Sequence, residues 1–375
     1  RASHFREDTI CKLLGIDDVP LLYPLDRCSY LEKLQSENSA LSLDIAFWLL
    51  HQPIRQRQLV QLLGQEVVDQ LLQWGMVKAS DLGEGIVETD NDLYPCLGDY
   101  VFTDPHLKTT YQKDHVYQLG TDSYALARFT PRKKGKKALD LCTGSGIHAI
   151  QSAHFYEQTF GIDLNPRALQ FSRMNAQING VQDKVKFLQG DLYEPVQGHQ
   201  FDLITMNPPF VPTPDEDMHI HRTGGESGEI ISQRAIEGLP QFLAEGGTFS
   251  MILDFPVMRA TTYLDRICNW LDGGNRQGGA GTPAEGWGVA ITNFGHYTLE
   301  RYIRFHVDAS DVNRFNDMYA RYLASYKRQG IYEVGFANVF IRRLPKKHPG
   351  FITERVMANP YKPMFEIVEG WLQAL

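Results

Sequence analysis

The sequence has few cysteines, and none of them lie at the spacing of a zinc site. Five cysteines are scattered through 375 residues, without a Cys-x-x-Cys pair. An odd and scattered set does not build a disulfide framework, and zinc-binding cysteines usually occur in close pairs. We therefore expect reduced thiols, no metal site and a cytoplasmic protein.

The sequence also lacks a long apolar segment. A membrane-spanning helix needs about 18 consecutive apolar residues, and no run of that length occurs. The first residues, RASHFREDTICKLL, carry charges where a signal peptide would be apolar. We expect no signal peptide and no membrane partner.

Basic residues are in the minority. The chain has 37 lysines and arginines against 45 aspartates and glutamates, a formal net charge of −8. Nucleic-acid enzymes usually present a basic face, because contacts to phosphates supply much of their affinity. The charge balance therefore disfavours RNA and DNA as substrates, and we interpret the basic run at residues 132–137 as a solvated loop before a strand.

Four apolar runs of strand length lie between residues 137 and 214, and helix-like segments alternate with them. This alternation is typical of a parallel sheet with crossover helices, and the length of the chain indicates a second domain. Each run ends in a small, acidic or amide residue. Ligands of such sheets bind at the carboxyl ends of the strands, so these end residues are the candidate site.

The first run, ALDLC, continues into Thr143-Gly144-Ser145-Gly146 and a helix that begins near Ile147. Glycines at this position allow the backbone to approach a ligand and to turn sharply. The spacing departs from the dinucleotide-binding motif, with Ala149 at the place of its third glycine. A nicotinamide cofactor and a plain tight turn both stay open at this point.

The next two runs end in carboxylates. Asp163 can accept hydrogen bonds from both hydroxyls of a ribose, or it can cap the helix that follows. Asp191, after the third run, can accept from an exocyclic amine such as that of adenine. An aspartate in this position is also common without a function.

The fourth run ends in Asn207-Pro208-Pro209-Phe210. Two prolines fix φ and remove two N–H donors, which leaves the Asn207 side-chain oxygen and the Pro208 carbonyl as neighbouring acceptors. Such a pair suits a planar –NH2 group, and Phe210 offers a face for a flat substrate. A plain turn is the alternative interpretation.

These segments together resemble the class I S-adenosylmethionine-dependent methyltransferases that carry an N-P-P-F/Y motif. The stretch Thr223-Gly224-Gly225-Glu226-Ser227-Gly228-Glu229 is similar to the glycine-rich segment of release-factor glutamine methyltransferases, and the region as a whole is similar to ribosomal RNA guanine-N2 methyltransferases of the small-domain type. The resemblance implies a Rossmann-like, seven-stranded α/β sheet and S-adenosylmethionine as cofactor. The implied cofactor contacts are Asp140, Cys142, Thr143, Gly144, Gly146, Asp163, Leu164, Asp191, Leu192 and Asn207.

The resemblance also implies which residues meet the methyl acceptor. Asn207, Pro208 and Phe210 would act on the target nitrogen, and Pro209 would border it. The segment before the first strand would close over the site through Thr121, Asp122 and Ser123, although Asp122 or Ser123 can equally be a helix cap.

The region before about Thr103 is predicted to be a smaller α+β domain that resembles a winged helix. Helices are expected in SLDIAFWLLHQ, RQRQLVQLLG and QEVVDQLLQWGMV, followed by one hairpin in IVETDNDLYPCLGDYVFTD. The helix in the position that would read DNA carries Glu66 and Asp69 and no basic residue, so DNA binding is disfavoured. We expect a module that shapes the substrate site or forms a homodimer.

The catalytic domain is predicted to run from residue 104 to residue 375. WGVAITNFG and VGFANVFIRRLP should form an antiparallel pair at the edge of the sheet, with an inserted helix from Asp311 to Gln329 between them. Its stripe of Phe315, Met318, Tyr319 and Tyr322 has the helical spacing of core residues. The glycine-rich segment 273–286 is expected to be a loop.

The predicted function is methyl transfer from S-adenosylmethionine to a planar amino or amide nitrogen. The acceptor is expected to be a small molecule or a protein glutamine, with an RNA base (guanine-N2 or adenine-N6) as the alternative. A DNA-binding regulator and an O-methyltransferase of natural products are further alternatives, but neither has a use for the acceptor pair at Asn207.

Overall fold

A computed structural model describes residues 4–22, 26–106, 114–214, 223–273, 283–307, 311–357 and 362–374. The chain divides into two compact units. The first contains Arg1–Thr110 and Val116–Tyr124, and the second contains Tyr111–His115 and Ala125–Leu375. No helix in the described ranges is long and apolar enough to cross a membrane.

The first unit combines helices with short strands. Its helices are α1 (Glu7–Leu14), α2 (Arg27–Glu37), α3 (Ala40–Trp48), α4 (Gln56–Leu63) and α5 (Gln65–Gln73), and α6 (Thr121–Phe129) crosses the boundary between the units. Its strands are β1 (Ile54–Arg55), β2 (Lys78–Ala79), β3 (Ile86–Glu88), β4 (Asp92–Cys96) and β5 (Asp99–Thr103).

The helices expected in this region appear as α3, α4 and α5, while α2 was not expected. The prediction of a single hairpin was wrong. β3 pairs with β1 and β2 in one small sheet, and β4 and β5 form a separate hairpin. That hairpin turns at Leu97 and Gly98, both with positive φ (51° and 95°), as tight hairpin turns require. The winged-helix description and the role of the unit stay predictions.

The second unit is built on one mixed sheet of eight strands in the order β13-β11-β12-β10-β9-β6-β7-β8. Its strands are β6 (Gly135–Leu141), β7 (Tyr156–Asp163), β8 (Val185–Gln189), β9 (Phe201–Met206), β10 (Leu243–Met258), β11 (Trp287–Thr298), β12 (Ile331–Arg343) and β13 (Phe351–Val356). Its further helices are α7 (Ile147–Ala153), α8 (Pro166–Ile178), α9 (Ile230–Phe242), α10 (Tyr263–Leu271), α11 (Leu299–His306), α12 (Val312–Arg328) and α13 (Phe365–Ala374).

The α/β class and the Rossmann-like sheet are confirmed, but the number of strands was underestimated. β8, β7, β6, β9 and β10 are parallel neighbours, and β12 pairs antiparallel with β10 and β11, as expected for the last two predicted strands. The eighth strand, β13, pairs in parallel with β11 and covers the predicted edge. Its sequence, FITERV, is half polar, and its residues change from half-buried to exposed along the strand instead of alternating, so it lacks the pattern of a sheet strand.

The segment between β11 and β12 contains two helices. α12 has Asp311 and Gln329 as its caps, at the predicted ends, whereas α11 was not expected. Met318 and Tyr322 are buried in a cluster with residues of α11, and Phe315 and Tyr319 pack against it, so the stripe belongs to a core. Most of the predicted glycine-rich loop, residues 274–282, lies outside the described residues.

Among the described residues, three buried side chains of the sheet have polar atoms without a hydrogen-bond partner: Thr159, Thr292 and Asn338. Asn338 of β12 is fully buried between Ile252 of β10 and Thr292 of β11. Neither its amide oxygen nor its amide nitrogen has a hydrogen-bond partner among the described residues. An unsatisfied buried amide costs free energy, because its hydrogen bonds to water are lost on folding.

We predict that Asn338→Val increases the free energy of unfolding by about 1–2 kcal/mol, because it removes the unsatisfied amide and adds a side chain suited to a strand. Asn338→Asp, which places a charge at the same position, should strongly destabilise the protein. Urea titration of the three proteins measures both effects. A valine variant less stable than the wild type would contradict the prediction.

Candidate functional site

The four predicted strand ends meet at one edge of the sheet. β6 lies between β7 and β9: the chain continues from β6 to β7 and β8 on one side, and then crosses back to β9 on the other side. This is the switch point at which open α/β sheets bind ligands. Neighbouring strands are about 4.8 Å apart, so the ends of β7 and β9 are separated by about 10 Å, with the end of β6 between them.

Asp140, the acidic residue of β6, lies beneath this edge. Its carboxylate is 1% exposed and accepts a hydrogen bond from the Thr143 hydroxyl at 2.5 Å and from the Thr205 hydroxyl at 2.8 Å. Burial raises its pKa to about 7, and the two hydroxyl hydrogen bonds oppose that shift. Asp140 thus joins the turn after β6 to β9, two residues before Asn207.

The turn after β6 depends on two glycines for different reasons. Gly146 has φ of 87°, and a Cβ there would lie 3.0 Å from the Cβ and 3.1 Å from the Cα of Ser172, so α8 leaves no room for a side chain. Gly144 has φ of 51°, and a Cβ there would enter space with only the Cys142 carbonyl oxygen at 4.0 Å. Ser172 and Asn175 of α8 donate to the carbonyls of Gly144 and Ser145 at 2.7 and 2.9 Å.

Asp163, at the end of β7, connects two loops. Its carboxylate accepts the Gly144 N–H at 2.8 Å and the Asn165 N–H at 2.9 Å. Burial raises its pKa, although the backbone N–H groups oppose the shift. Asp163 is not the helix cap: Asn165 caps α8 by accepting the Arg167 N–H at 3.0 Å. Leu164 between them is 51% exposed, an apolar surface beside the carboxylate.

Cys142 is the remaining candidate at the end of β6. It has φ of 55°, in the left-handed region that non-glycine residues rarely adopt, and it packs against the core beneath the sheet edge. Burial, followed by the negative charge of Asp163, raises the pKa of its thiol well above the usual range. The thiol is therefore a neutral wall of the site.

Asp191, after β8, has a partner that was not anticipated. The Arg234 guanidinium of α9 donates to its carboxylate at 2.8 Å, in an ion pair that is partly exposed. The carboxylate keeps acceptor capacity for a further donor, because each ionised oxygen has two lone pairs. Leu192 beside it is 7% exposed and belongs to the main core.

The fourth strand end leads into a turn that is packed on both sides. Pro208 is buried, and Asn207 and Pro209 are half-buried. Phe210 packs against the main core and also against the cluster around α11 and α12. Its ring is therefore anchored at the boundary between these two clusters, next to the turn.

The chain after Phe210 pairs with the glycine-rich segment 223–229. Gly224 donates its N–H to the Val211 carbonyl at 3.1 Å, and Thr213 donates to the Gly225 carbonyl at 3.0 Å. A Cβ at Gly228 would lie 2.5 Å from the Phe210 carbonyl oxygen, so only glycine fits there. The chain directly after the Asn-Pro-Pro-Phe turn is thus paired with the glycine-rich segment through a short parallel β-bridge.

The inserted helix α12 is hydrogen-bonded to both of these paired segments. Tyr326 donates its hydroxyl to the Pro212 carbonyl at 2.7 Å, and the hydroxyls of Tyr322 and Thr213 are 2.9 Å apart. Arg328 donates to the Glu226 carboxylate at 2.5 Å, and Gln329 donates to the Glu226 carbonyl at 2.9 Å. A helix that the sequence marked only as an insertion is therefore part of the wall beside the candidate acceptor site.

A buried ion pair closes the far end of the same segment. Arg266 of α10 donates its Nε to the Glu229 carboxylate at 3.0 Å and an Nη to the Pro256 carbonyl at 2.6 Å. Burial raises the pKa of Glu229, and the charge of Arg266 opposes that shift. The end of the segment is thus attached to α10 and β10.

Thr121, Asp122 and Ser123 lie in the first turn of α6, and all three fall in the first unit. Since the helix already includes Thr121, Asp122 and Ser123 are inside it and neither is its cap. Tyr117 donates to the Asp122 carboxylate at 3.4 Å. Their contact with a substrate stays a prediction.

Several residues that support the site could not be found by motif. Thr205 is recognisable only once β9 is placed in register with β6, where it pairs with Asp140. Arg234 and Arg266 lie on helices far along the chain from their acidic partners. Tyr326 follows Tyr322 by four residues and so continues the predicted stripe of α12 by one turn. Its burial could therefore have been predicted from the helical spacing.

We predict a pH-dependent difference between the wild type and Asp140→Asn. The raised pKa means that the folded protein binds a proton at Asp140 that the unfolded chain releases above about pH 4. The wild type should therefore lose stability relative to the variant as pH rises from about 4 to about 7. Melting temperatures at several pH values test this, and a constant difference would contradict it.

We also predict that Tyr326→Phe lowers the free energy of unfolding by about 1–2 kcal/mol, because the buried Pro212 carbonyl loses its donor. Tyr319→Phe, a half-buried tyrosine of the same helix, is the matched control and should change stability by less than about 0.5 kcal/mol. Chemical denaturation measures both. Equal effects would show that the Tyr326 hydroxyl does not hold the segment.

The chain is similar to known methyltransferases over the region that contains this candidate site. Residues 116–266 match the family model described as the methyltransferase small domain. A protein of Methanocaldococcus jannaschii, named provisionally as a protein N5-glutamine methyltransferase, is 32% identical over 143 residues, which are 36% of this chain and 71% of that protein.

Two further relatives match over a shorter region. The ribosomal protein uL3 glutamine methyltransferase of Neisseria meningitidis serogroup A is 39% identical over 22% of this chain and 29% of its own length. The release factor glutamine methyltransferase of Thermodesulfovibrio yellowstonii is 33% identical over 30% of this chain and 44% of its own length. The chain thus spans less than half of the length of these two relatives.

Proposed function

Because the chain belongs to the class I S-adenosylmethionine-dependent methyltransferases, we propose that it methylates the side-chain amide nitrogen of a glutamine in a protein. The observation that carries this proposal is the adjacency of β6 and β9. Leu141 pairs with Met206, so the glycine turn and Asn207 follow neighbouring strand ends. A bound methyl donor and an amide nitrogen can meet there without a change of fold.

The residues at the turn fit S-adenosylmethionine. A Cβ at Gly144 would enter open space, so the backbone there is accessible to a ligand. Asp163 accepts backbone N–H groups from Gly144, Leu164 and Asn165, and its two oxygens together offer about four acceptor positions, which leaves capacity for a ribose hydroxyl. Exposed Leu164 supplies an apolar surface for the adenine, and Asp191 an acceptor for its amine.

The remaining cofactor residues have supporting roles in this proposal. Asp140 and Thr143 fix the turn, Gly146 lets α8 approach it, and Cys142 and Leu192 form apolar walls. When bound, S-adenosylmethionine supplies an electrophilic methyl group, so the chain needs no nucleophile of its own.

The chain's contribution to the reaction is to hold and orient the amide. The Asn207 side-chain oxygen and the Pro208 carbonyl accept the two N–H groups, which orients the nitrogen and stabilises the positive charge that develops on it. Pro209 and Phe210 border the amide. A new N–C bond replaces the S–C bond, whose electrons stay on sulfur, and the nitrogen then releases one proton to solvent.

Two observations support a protein acceptor: the negative net charge of the chain and the names of its relatives. Three relatives are named as glutamine methyltransferases, and the chain has a net charge of −8, which is unfavourable for binding RNA phosphates. The helix α5 presents exposed Glu66 and Asp69, so the first unit adds no basic surface there.

We predict that Asn207→Ala keeps most of the affinity for S-adenosylmethionine but loses turnover by about 100-fold or more, because one of the two acceptors for the amide is gone. Asn207→Asp retains an acceptor oxygen and should keep more turnover than the alanine variant. Calorimetry with S-adenosylmethionine and transfer of a tritiated methyl group to ribosomal proteins and release factors measure the two properties.

The same assay with total RNA and with metabolite fractions distinguishes the acceptor classes. Label in a glutamine of a protein, located by mass spectrometry, is the expected result. Label in an RNA base would overturn the proposed acceptor while preserving the role of Asn207. Near-normal turnover of Asn207→Ala would show that the turn at Asn207 has a structural role only.

A further inference from the structure

Three strands of the sheet continue past the end of β9, beside the turn that begins at Asn207. The last pair between β9 and β10 joins Met206 to Met251, whereas β10 itself continues to Met258. β12 pairs with β10 along this part, and β11 pairs with β12. Residues 252–258 of β10, with their partners on β12 and β11, form a three-stranded extension that adjoins the acceptor turn.

One face of this extension is the face on which the glycine turn is supported. Ser250 of β10 pairs with Thr205 of β9, and Thr205 pairs with Asp140, to which its hydroxyl donates. Paired residues of neighbouring strands share a face, and side chains of one strand alternate between the two faces. Ile252 and Asp254 follow Ser250 at intervals of two residues, so both lie on the face of Asp140.

Asp254 is close to Asn207 on this shared face. Asn207 follows Thr205 by two residues, so its side chain is expected on the same side of the sheet. Because Asn207 comes directly after the last pair of β9 with β10, it is level with Ile252, and Asp254 lies two residues further along. A strand spacing of about 4.8 Å and a rise of about 3.3 Å per residue place the two Cα atoms about 8 Å apart. A group hydrogen-bonded to the Asn207 side chain is therefore a few ångströms from the Asp254 carboxylate.

The surroundings of Asp254 strengthen the effect of its charge. Asp254 is the single charged residue of the segment 252–258, and its side chain is half-buried. Ile252 before it and Phe336 opposite it on β12 belong to one apolar cluster. A charge beside apolar side chains acts on its neighbours more strongly than a charge surrounded by water, because the local dielectric is lower.

We propose that the carboxylate of Asp254 selects an uncharged amide as the methyl acceptor and stabilises the positive charge that develops on its nitrogen. This inference rests on the proposed function, since it takes the amide to bind at Asn207. As the N–C bond forms and the S–C bond breaks, one positive charge moves from sulfur to nitrogen, and the nitrogen then releases one proton to solvent. A fixed negative charge on the side of the nitrogen favours this movement.

The same charge excludes glutamate, which has nearly the shape of glutamine. A glutamate side chain in the site would place a second carboxylate a few ångströms from Asp254, and like charges at that distance repel each other. It would also lack the N–H groups that the turn accepts. Asp254 is thus a specificity-determining residue as well as a charge-stabilising one, and both roles depend on one charge.

The first test uses the wild-type chain, the acceptor protein that it labels at a glutamine, and the same acceptor with glutamate at the labelled position. Calorimetry should show binding of the glutamine form at least about 10-fold more tightly than the glutamate form. Equal affinities would overturn the inference without any variant. Absence of glutamine label in all proteins would overturn the proposed acceptor and this inference together, so the two failures are distinguishable.

The second test compares variants of the extension. Asp254→Asn keeps the shape and removes the charge, so it should lower the single-turnover rate by about 10- to 100-fold and leave the affinity for S-adenosylmethionine within about threefold. It should also reduce the preference for the glutamine form of the acceptor by about 10-fold. Asp254→Glu restores the charge and should recover part of the rate.

Glu333→Gln is the matched control for loss of a carboxylate. Glu333 lies on β12 of the same extension, opposite Val257 of β10, and therefore on the other face of the sheet. Its variant should keep the rate within about twofold of wild type, as expected for a change outside the site. An Asp254→Asn variant with the rate and the preference of the wild type would overturn the inference, and so would an equal loss of rate in Glu333→Gln.

Discussion

The candidate site depends on the two hydroxyl hydrogen bonds to the buried carboxyl of Asp140. One comes from the turn after β6 and the other from β9, so a single group fixes the distance between the glycine turn and the strand that ends at Asn207. Asp163 then ties the same turn to the next loop through the Gly144 N–H. Three adjacent strand ends are thereby held as one rigid edge, which suits a reaction that relies on placing two reactants rather than on a nucleophile of the enzyme.

The parts of this site that a sequence can predict are those that depend on local chemistry. Strand ends marked by Asp163, Asp191 and Asn207, a turn at Gly144 and a helix beginning at Ile147 are all visible as residue types at short spacing. The register-dependent contacts are not. Thr205 meets Asp140 only because β9 pairs with β6 in one register, and Arg234 meets Asp191 across 43 positions of the chain. The same limit explains the missed strand β13, which is ordered by pairing with β11 and not by an apolar pattern of its own.

Errors in the first unit have a related cause. β3 and β4 are separated by only three residues, and their sequences alternate in the same way, so they read as parts of one hairpin. Their partners decide otherwise, since β3 pairs with strands on both sides of α4 and α5. Asp92, at the start of β4, looks like an ordinary turn residue in the sequence. Its contacts emerge only from the fold, because His51 and His106 come to its carboxylate from distant parts of the chain.

The insertion between β11 and β12 has consequences for the choice of acceptor. Tyr322 and Tyr326 of α12 contact Thr213 and Pro212, within six residues of Asn207, and they hold the chain at its exit from the acceptor turn. Moving this wall to admit a substrate of different shape costs free energy, because each displaced tyrosine hydroxyl leaves a buried polar group unpaired. In the proposed function the amide binds at the turn that begins with Asn207, while the wall beside that turn is supplied by this insertion. For the proposed glutamine acceptor, we therefore expect the insertion to determine which glutamine is selected and the turn to carry the chemistry.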